Sequence, residues 1–240
     1  MNSMAGTLYL IPCPISEDTL PYDVTPEGNR EVITSLDYFI VENLRSARRF
    51  LSKAGLSGKI DELEFDELSE HTTSPREIER MVAKIKDGRS AGVISEAGVP
   101  AVADPGQLVV AACHRAGIRV VPLVGPSSII MAVMASGLSG QSFAFNGYLP
   151  VKEPERTRAI KRLESRATGE HQSQLFIEAP YRNIKLAEQI IASCGAQTKL
   201  CIACDITSKN EYIRTATIAE WRKIGVPDIN KRPTIFIIGE

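Results

Sequence analysis

Short apolar runs alternate with amphipathic stretches along the first half of the chain. The runs lie at residues 8–11, 37–41, 91–94 and 119–122. Each is followed by a loop and then by a stretch whose apolar residues recur at helical spacing. Strands that alternate with helices in this way predict a doubly wound sheet of parallel strands.

Capping patterns indicate where two of the helices begin. Ser74-Pro75-Arg76-Glu77 combines a capping box with a proline in the first turn, and it predicts a helix that Gly88 ends. Thr25-Pro26 has the form of an N-cap followed by proline at the first helical position. This pair predicts a helix that runs from Pro26 toward Leu36.

The Gly125-Pro126 turn divides the chain into two predicted domains, residues 1–124 and 125–240. After the turn, residues 129–135 are almost wholly apolar, as in a helix buried between two layers. Further strand patterns follow at residues 143–145, 175–177, 200–206, 211–215 and 234–238. The second half is therefore expected to form an α/β domain of its own.

Charge and cysteine content narrow the class of protein. The net charge of −1 hides an asymmetry: residues 1–125 carry 13 Lys and Arg against 18 Asp and Glu, and residues 126–240 carry 15 against 11. The second half is thus the more plausible face for a polyanion. Five scattered cysteines suggest reduced thiols in the cytoplasm, and Cys201-x-x-Cys204 is interpreted as two core residues, with no metal expected. No apolar run is long enough to span a bilayer.

One loop organises the first domain. It runs from Ser95 to Gly106, with the sequence Ser-Glu-Ala-Gly-Val-Pro-Ala-Val-Ala-Asp-Pro-Gly, between a strand and a helix. We call it the central loop. Loops at the carboxyl ends of parallel strands line the ligand crevice, so Glu96 and Asp104 are expected to face a polar or cationic ligand. The alternative is an ordinary connection between a strand and a helix.

Several ordered motifs together resemble the tetrapyrrole methylase-like, or class III, S-adenosylmethionine-dependent methyltransferases. They are Gly6-Thr7-Leu8-Tyr9 with Pro14-Ile15, Glu42-x-x-Arg45, Asp104-Pro105-Gly106 in the central loop, Gly125-Pro126-Ser127, Gly147-Tyr148-Leu149-Pro150, and Glu178-x-Pro180-Tyr181-Arg182. Within that family the likeness is to enzymes that methylate a cytidine ribose 2′-hydroxyl of small-subunit ribosomal RNA. The resemblance covers nearly the whole chain.

The resemblance implies two α/β domains, the N-terminal one a doubly wound parallel sheet and the C-terminal one a mixed sheet. It also implies a homodimer and S-adenosylmethionine bound in the cleft between the domains. Carried over by position, the residues that line the cofactor pocket are Ile15, Glu96, Val99, Ser127, Ser128, Ile129, Ile177, Ala203 and Pro233. Each apolar member has a competing interpretation as an ordinary core residue.

The candidate catalytic residues are Glu42 and Arg45, at the carboxyl end of the second predicted strand. A ribose hydroxyl is a poor nucleophile, so a base or a stabilising cation would help. A surface ion pair is the alternative. Tyr181 and Arg182 are candidates for stacking on an RNA base and contacting phosphate. The basic helix after Pro150 is either a nucleic-acid contact or a solvated face.

Two other functions compete with RNA methylation. The first is methylation of a tetrapyrrole or another small molecule, favoured by weak basicity and by the end of the chain at Glu240, where ribosomal members commonly continue. The second is a non-catalytic protein that binds S-adenosylmethionine as a sensor. Asn43-Leu44, where the family has an acid and a hydroxyl, keeps that hypothesis open.

Overall fold

A computed structural model describes residues 5–68 and 74–240 of the chain. The chain divides into two compact units, Met1–Ser127 and Ser128–Glu240. Each unit contains one five-stranded sheet.

The first unit is built on a parallel sheet. Its strands are β1 (Thr7–Ile11), β2 (Tyr38–Val41), β3 (Glu64–Glu67), β4 (Ala91–Ile94) and β5 (Arg119–Pro122), in the order β3-β2-β4-β1-β5. All the pairings are parallel. Every residue of β2 and β4 is buried, as expected for central strands covered on both faces. The predicted parallel sheet is confirmed.

Helices cover both faces of this sheet. They are α1 (Pro21–Val24), α2 (Asn29–Ser35), α3 (Leu44–Leu51), α4 (Pro75–Lys86) and α5 (Gly106–Arg115), with a π-helical turn at Ser52–Leu56 and a 3₁₀ turn at Ile60–Glu62. Helices α4 and α5 pack their apolar side chains on one face, and α2 and α3 pack on the other. The sheet is therefore doubly wound, as predicted.

The second unit has a mixed sheet. Its strands are β6 (Phe143–Tyr148), β7 (Ser173–Ile177), β8 (Lys199–Cys204), β9 (Tyr212–Thr217) and β10 (Thr234–Gly239), in the order β6-β7-β10-β8-β9. The β6–β7 pair is parallel, and the other three pairs are antiparallel. The mixed sheet implied by the resemblance is confirmed.

Two apolar clusters sandwich this second sheet. Its helices are α6 (Ser128–Ser136), α7 (Glu153–Gly169), α8 (Asn183–Ser193) and α9 (Ile218–Ile224), with a 3₁₀ turn at Pro180–Arg182. Helices α7, α8 and α9 cover one face, and α6 covers the other. Thr217 caps α9 through a capping box.

Two local predictions were wrong, and one strand was missed. Thr25 is not an N-cap: it ends α1, its hydroxyl donates to the Pro21 carbonyl at 2.8 Å, and the next helix begins only at Asn29. Strand β3 was not predicted. Helix α6 is not buried all round, since Met134 is 76% exposed.

Candidate active site

A pocket in the first unit lies against two of the predicted cofactor residues, Ile15 and Glu96. Its walls come from the loop after β1, from α3 with the π-helical turn, and from the start of the central loop. The lining residues are Cys13, Pro14, Ile15, Ser16, Glu17, Thr19, Pro21, Ser46, Arg49, Phe50, Lys53, Ser95 and Glu96. The α3 side of this wall was not predicted, although the spacing of its basic residues was visible in the sequence.

Backbone hydrogen bonds join the two loops of the pocket. The Cys13 N–H donates to the Gly98 carbonyl at 2.8 Å, and the Gly98 N–H donates back to Cys13 at 3.1 Å. Gly98 has a φ of 71°, and a Cβ there would lie 3.4 Å from the Pro126 carbonyl oxygen. The pairing holds the segment that carries Ile15 beside the segment that carries Glu96.

The central loop keeps its shape through Asp104. The Asp104 carboxylate accepts hydrogen bonds from the Ala101 N–H at 2.8 Å and the Gly106 N–H at 2.7 Å. Ala101 and Ala103 have positive φ values of 65° and 60°, which cost energy for residues with a side chain. These bonds offset that cost, so Asp104 holds the shape of the loop. Val99, a predicted cofactor residue, is half-buried in the same loop.

The candidate catalytic residues lie next to the central loop. The Glu96 N–H donates to Oε2 of Glu42 at 3.4 Å, so the Glu42 carboxylate reaches the loop from the end of β2. Arg45 is exposed in the first turn of α3 and makes no hydrogen bond or ion pair within the described residues.

Three predicted cofactor residues are consecutive in the chain at the start of α6. Ser127 is the last residue of the first unit, and Ser128 is the first residue of α6. Both are half-buried. Ile129 packs against the apolar cluster under the second sheet.

The second-unit candidates share one end and one face of their sheet. Ile235 of β10 pairs with Ile177 on one side and with Ala203 on the other, so the three side chains stand in a row. Ala203 is buried, which agrees with its core interpretation. The carbonyl of Pro233, at the start of β10, accepts a hydrogen bond from Asp205 at 2.9 Å.

The Glu178-x-Pro-Tyr-Arg motif forms a partly buried ionic cluster. Oε1 of Glu178 accepts from the Ala179 N–H at 2.7 Å and from Nη2 of Arg182 at 2.6 Å. Nη1 of Arg182 donates to the Tyr181 hydroxyl at 2.7 Å, and Tyr181 remains 65% exposed. The hydrogen bond that Arg182 donates to the Glu178 carboxylate raises the pKa of Arg182.

Arg156 completes that cluster and was wrongly grouped with the exposed basic residues of α7. Only 2% of its surface is exposed, and its Nη1 lies 3.9 Å from Oε2 of Glu178. Its Nε donates to the Gln189 amide oxygen. It therefore cannot contact a nucleic acid.

The cysteines form no site among the described residues. All five are buried and free, as expected for core thiols. Burial raises the pKa of Cys201 and of Cys204, which keeps both as inert thiols. In the described ranges no His, Cys, Asp or Glu group is arranged to hold a metal ion, and no helix is long and apolar enough to cross a membrane.

Comparison with known proteins identifies the family. A sequence model described as Tetrapyrrole (Corrin/Porphyrin) Methylases matches residues 21–221. The chain belongs to the tetrapyrrole methylase family. The predicted enzyme class is thereby confirmed: a methyltransferase that uses S-adenosylmethionine.

Curated members of the family are similar over most of their length. Ribosomal RNA small subunit methyltransferase I of Escherichia coli O157:H7 is 31% identical, over 96% of this chain and 76% of its own. The protein of the same name from Vibrio cholerae serotype O1 is 32% identical, over 90% of this chain and 70% of its own.

Solved structures of tetrapyrrole methylases share the fold. The methyltransferase CobJ has a TM-score of 0.61 at 14% identity, covering 98% of this chain and 95% of its own. Uroporphyrin-III C-methyltransferase from Thermus thermophilus, complexed with S-adenosyl homocysteine, has a TM-score of 0.56 at 15% identity, with 98% of both chains covered. At these identities the likeness establishes the fold alone.

The chemistry of the pocket fits part of the family cofactor. Ile15 and the buried Phe50 provide apolar surface for a base or an aliphatic chain, and the exposed Glu96 carboxylate can accept hydrogen bonds from ribose hydroxyls. Arg49 and Lys53, on the α3 wall, do not fit a sulfonium, because like charges repel.

Proposed function

We propose that this chain transfers a methyl group to a ribose 2′-hydroxyl of small-subunit ribosomal RNA. Two observations favour RNA over a tetrapyrrole as the acceptor. The curated relatives at 31% and 32% identity carry the name of a ribosomal RNA methyltransferase. The tetrapyrrole methyltransferases of known structure share 14% to 18% of their sequence with the chain.

The structural observation that carries the proposal is the position of Glu42. Its carboxylate lies 3.4 Å from the Glu96 amide, at the edge of the loop that holds a proposed cofactor ligand. A ribose hydroxyl must lose its proton as it attacks, and a nearby carboxylate can accept that proton as a general base. The guanidinium of Arg45, which has no ion-pair partner among the described residues and follows Glu42 by three positions, would stabilise the negative charge that develops on the oxygen.

S-adenosylmethionine supplies an electrophilic methyl group when it is bound. In the first unit, Ile15 and Val99 would hold its apolar parts and Glu96 its ribose hydroxyls. Ser127, Ser128 and Ile129 would contact it at the start of α6. For the second unit the proposal assigns cofactor contacts to Ile177, Ala203 and the backbone at Pro233, which share one end of the sheet.

Tyr181 and Arg182 are the proposed RNA contacts of the second unit. The exposed ring of Tyr181 offers a face on which an unpaired base can stack. The Arg182 guanidinium lies 4.9 Å from the centre of that ring, and its hydrogen bond to Glu178 fixes its direction. A phosphate next to the stacked base would meet a positioned cation.

The decisive experiment measures cofactor binding and methyl transfer separately. Isothermal titration with S-adenosylmethionine is combined with transfer of labelled methyl to small-subunit RNA and to a uroporphyrin. Glu42→Gln should abolish turnover and leave cofactor affinity unchanged. Glu96→Ala should weaken cofactor binding. Glu79→Gln, an exposed carboxylate on α4, is the control and should behave as wild type.

Other outcomes would replace the proposal. Transfer to the uroporphyrin but not to RNA would establish the small-molecule alternative. Saturable cofactor binding without transfer to either acceptor would support the sensor. Full activity of Glu42→Gln on RNA would remove the proposed base while leaving the acceptor intact.

Two further expectations belong to the proposal and rest on the likeness to the family: a homodimer, and a location in the cytoplasm where ribosomal RNA is modified. Light scattering on the purified chain tests the first. A mass of one chain, 26.2 kDa, at micromolar concentration would contradict it.

A further inference from the structure

A row of basic residues runs along α3 and into the π-helical turn that follows it. Arg45, Arg49 and Lys53 are four residues apart, so they lie on neighbouring turns of one helix face. The helical rise separates successive members by about 6 Å along the axis. All three side chains are exposed. We call them the α3 row.

Two members of the α3 row line a concave surface, and carboxylates of the protein neutralise their positive charges only weakly. Arg49 and Lys53 line the pocket together with the Ser46 hydroxyl. Nη1 of Arg49 lies 3.9 Å from a Glu17 carboxylate that is 92% exposed, and such surface pairs contribute little. Nζ of Lys53 donates to the Glu17 backbone carbonyl at 3.4 Å.

Another arginine of the same helix does have a carboxylate partner. Arg48 forms an ion pair with Asp61 on the far side of the row. Arg45, by contrast, has no hydrogen-bond or ion-pair partner among the described residues. Adjacent like charges four residues apart destabilise a helix slightly, and a bound polyanion would remove that cost.

The position of the row points to its ligand. It begins three residues after Glu42, the proposed base, and extends away from it along α3. We propose that Arg45, Arg49 and Lys53 bind successive phosphates of the acceptor RNA strand, an inference that rests on the proposed function. The regular spacing suits the repeating charge of a phosphodiester backbone. Binding there would hold the acceptor ribose beside Glu42.

The test is the salt dependence of RNA binding by the full chain. A short fluorescein-labelled single-stranded RNA is titrated by anisotropy over a series of KCl concentrations, with wild type and an R49A/K53A double variant. Each phosphate contact contributes about 0.7 to the slope of log K against log [salt] for single strands. The double variant should therefore show a slope smaller by about 1.4.

A matched control removes two positive charges elsewhere in the same unit. Lys86 and Arg115 are exposed at the ends of α4 and α5, which pack on the sheet face opposite α3. The K86A/R115A variant should keep the wild-type slope. A slope that falls equally in both double variants would overturn the inference, because it would reflect net charge alone.

A second substitution should change RNA affinity in the opposite direction. Glu17→Gln removes the carboxylate next to Arg49 and should tighten RNA binding several-fold. Weaker or unchanged binding would count against the row, even if the double variant failed to fold. Cofactor titration tests whether these cations bind the carboxylate of the cofactor instead of RNA phosphates. A loss of S-adenosylmethionine affinity in R49A/K53A would assign them to the cofactor carboxylate.

The inference and the proposed function fail in different ways. If wild type methylates RNA and R49A/K53A retains the full salt slope, the function stands and the row is wrong. If the slope falls as expected but no acceptor RNA is methylated, the row stands as a nucleic-acid site and the proposed reaction is wrong.

Discussion

Substitution of Arg156 should destabilise the second unit, although the residue lies in a helix rich in charged residues. The side chain is 2% exposed and its guanidinium lies 3.9 Å from the buried Glu178 carboxylate. Arg156→Met keeps most of the aliphatic volume but removes the charge. It also leaves the Gln189 amide oxygen without its donor.

The size of the effect follows from what remains buried. Breaking a buried ion pair typically costs about 3–5 kcal/mol, because the surviving charge is left uncompensated. Here Arg182 still donates to Oε1 of Glu178 at 2.6 Å, which reduces the loss. We therefore expect about 3 kcal/mol for Arg156→Met. Glu178→Gln leaves both arginines without their carboxylate and should cost at least as much.

The unfolding of the second unit can be followed by intrinsic tryptophan fluorescence. Trp221 is the only tryptophan in the sequence, and it is fully buried in the apolar cluster that also contains α7 and α8. Urea unfolding followed by its fluorescence thus monitors the second unit. With a slope of about 1–3 kcal/mol per molar urea, a loss of 3 kcal/mol lowers the midpoint by about 1–3 M.

The control is the neighbouring exposed arginine on the same helix. Arg158→Met, two residues further along α7, should change the unfolding free energy by less than about 0.5 kcal/mol. If Arg156→Met proves no more harmful than Arg158→Met, the buried cluster contributes nothing to stability and the reasoning is refuted.

Two further predictions concern the first unit. Burial alone would raise the pKa of Asp66, but its hydrogen bonds, first that from Lys84 at 2.6 Å, hold the pKa below its ordinary value. A depressed carboxyl pKa stabilises the fold above the unfolded-state pKa, and this contribution is lost as pH falls through the folded-state pKa. Asp66→Asn should therefore flatten the acid limb of stability below about pH 4 in circular dichroism, and an unchanged limb would contradict this. Gly125→Ala places a Cβ 2.2 Å from the Pro12 ring and should cost about 1–3 kcal/mol in thermal unfolding, whereas Gly28→Ala, with open space around it, should cost much less.

The alternation of apolar runs and amphipathic stretches was sufficient to predict most of the fold. Strands β4 and β5 occupy the predicted residues: β4 is buried and apolar on both faces, and the partly exposed edge strand β5 contains two adjacent valines. Strand β3 was not predicted because it has Phe65 as its single apolar residue. It lies at the sheet edge and pairs with β2 alone. Edge strands are held by backbone hydrogen bonds, which leave little trace in an apolar pattern.

Local motifs were less informative about the roles of side chains. Asp104 stands in a loop suited to ligand binding, yet its carboxylate is needed for backbone amides two and three residues away. The Glu178 motif was singled out for Tyr181 and Arg182, but its carboxylate is buried against Arg156, 22 residues earlier on α7. Such pairing depends on tertiary packing, which no local pattern encodes.

The charge balance of the two halves does not by itself locate a polyanion site. The second half has the positive net charge, yet Arg156 is buried, and both Arg182 and Arg232 are paired with carboxylates. The first half is net negative, but part of its acid surplus is used in ion pairs such as those of Glu64 and Asp66 at the sheet edge. Electrostatic attraction depends on which charges face one concave surface unneutralised, within about 10 Å of the ligand. By that criterion we infer that the α3 row, on the more acidic unit, is the stronger candidate for phosphate binding.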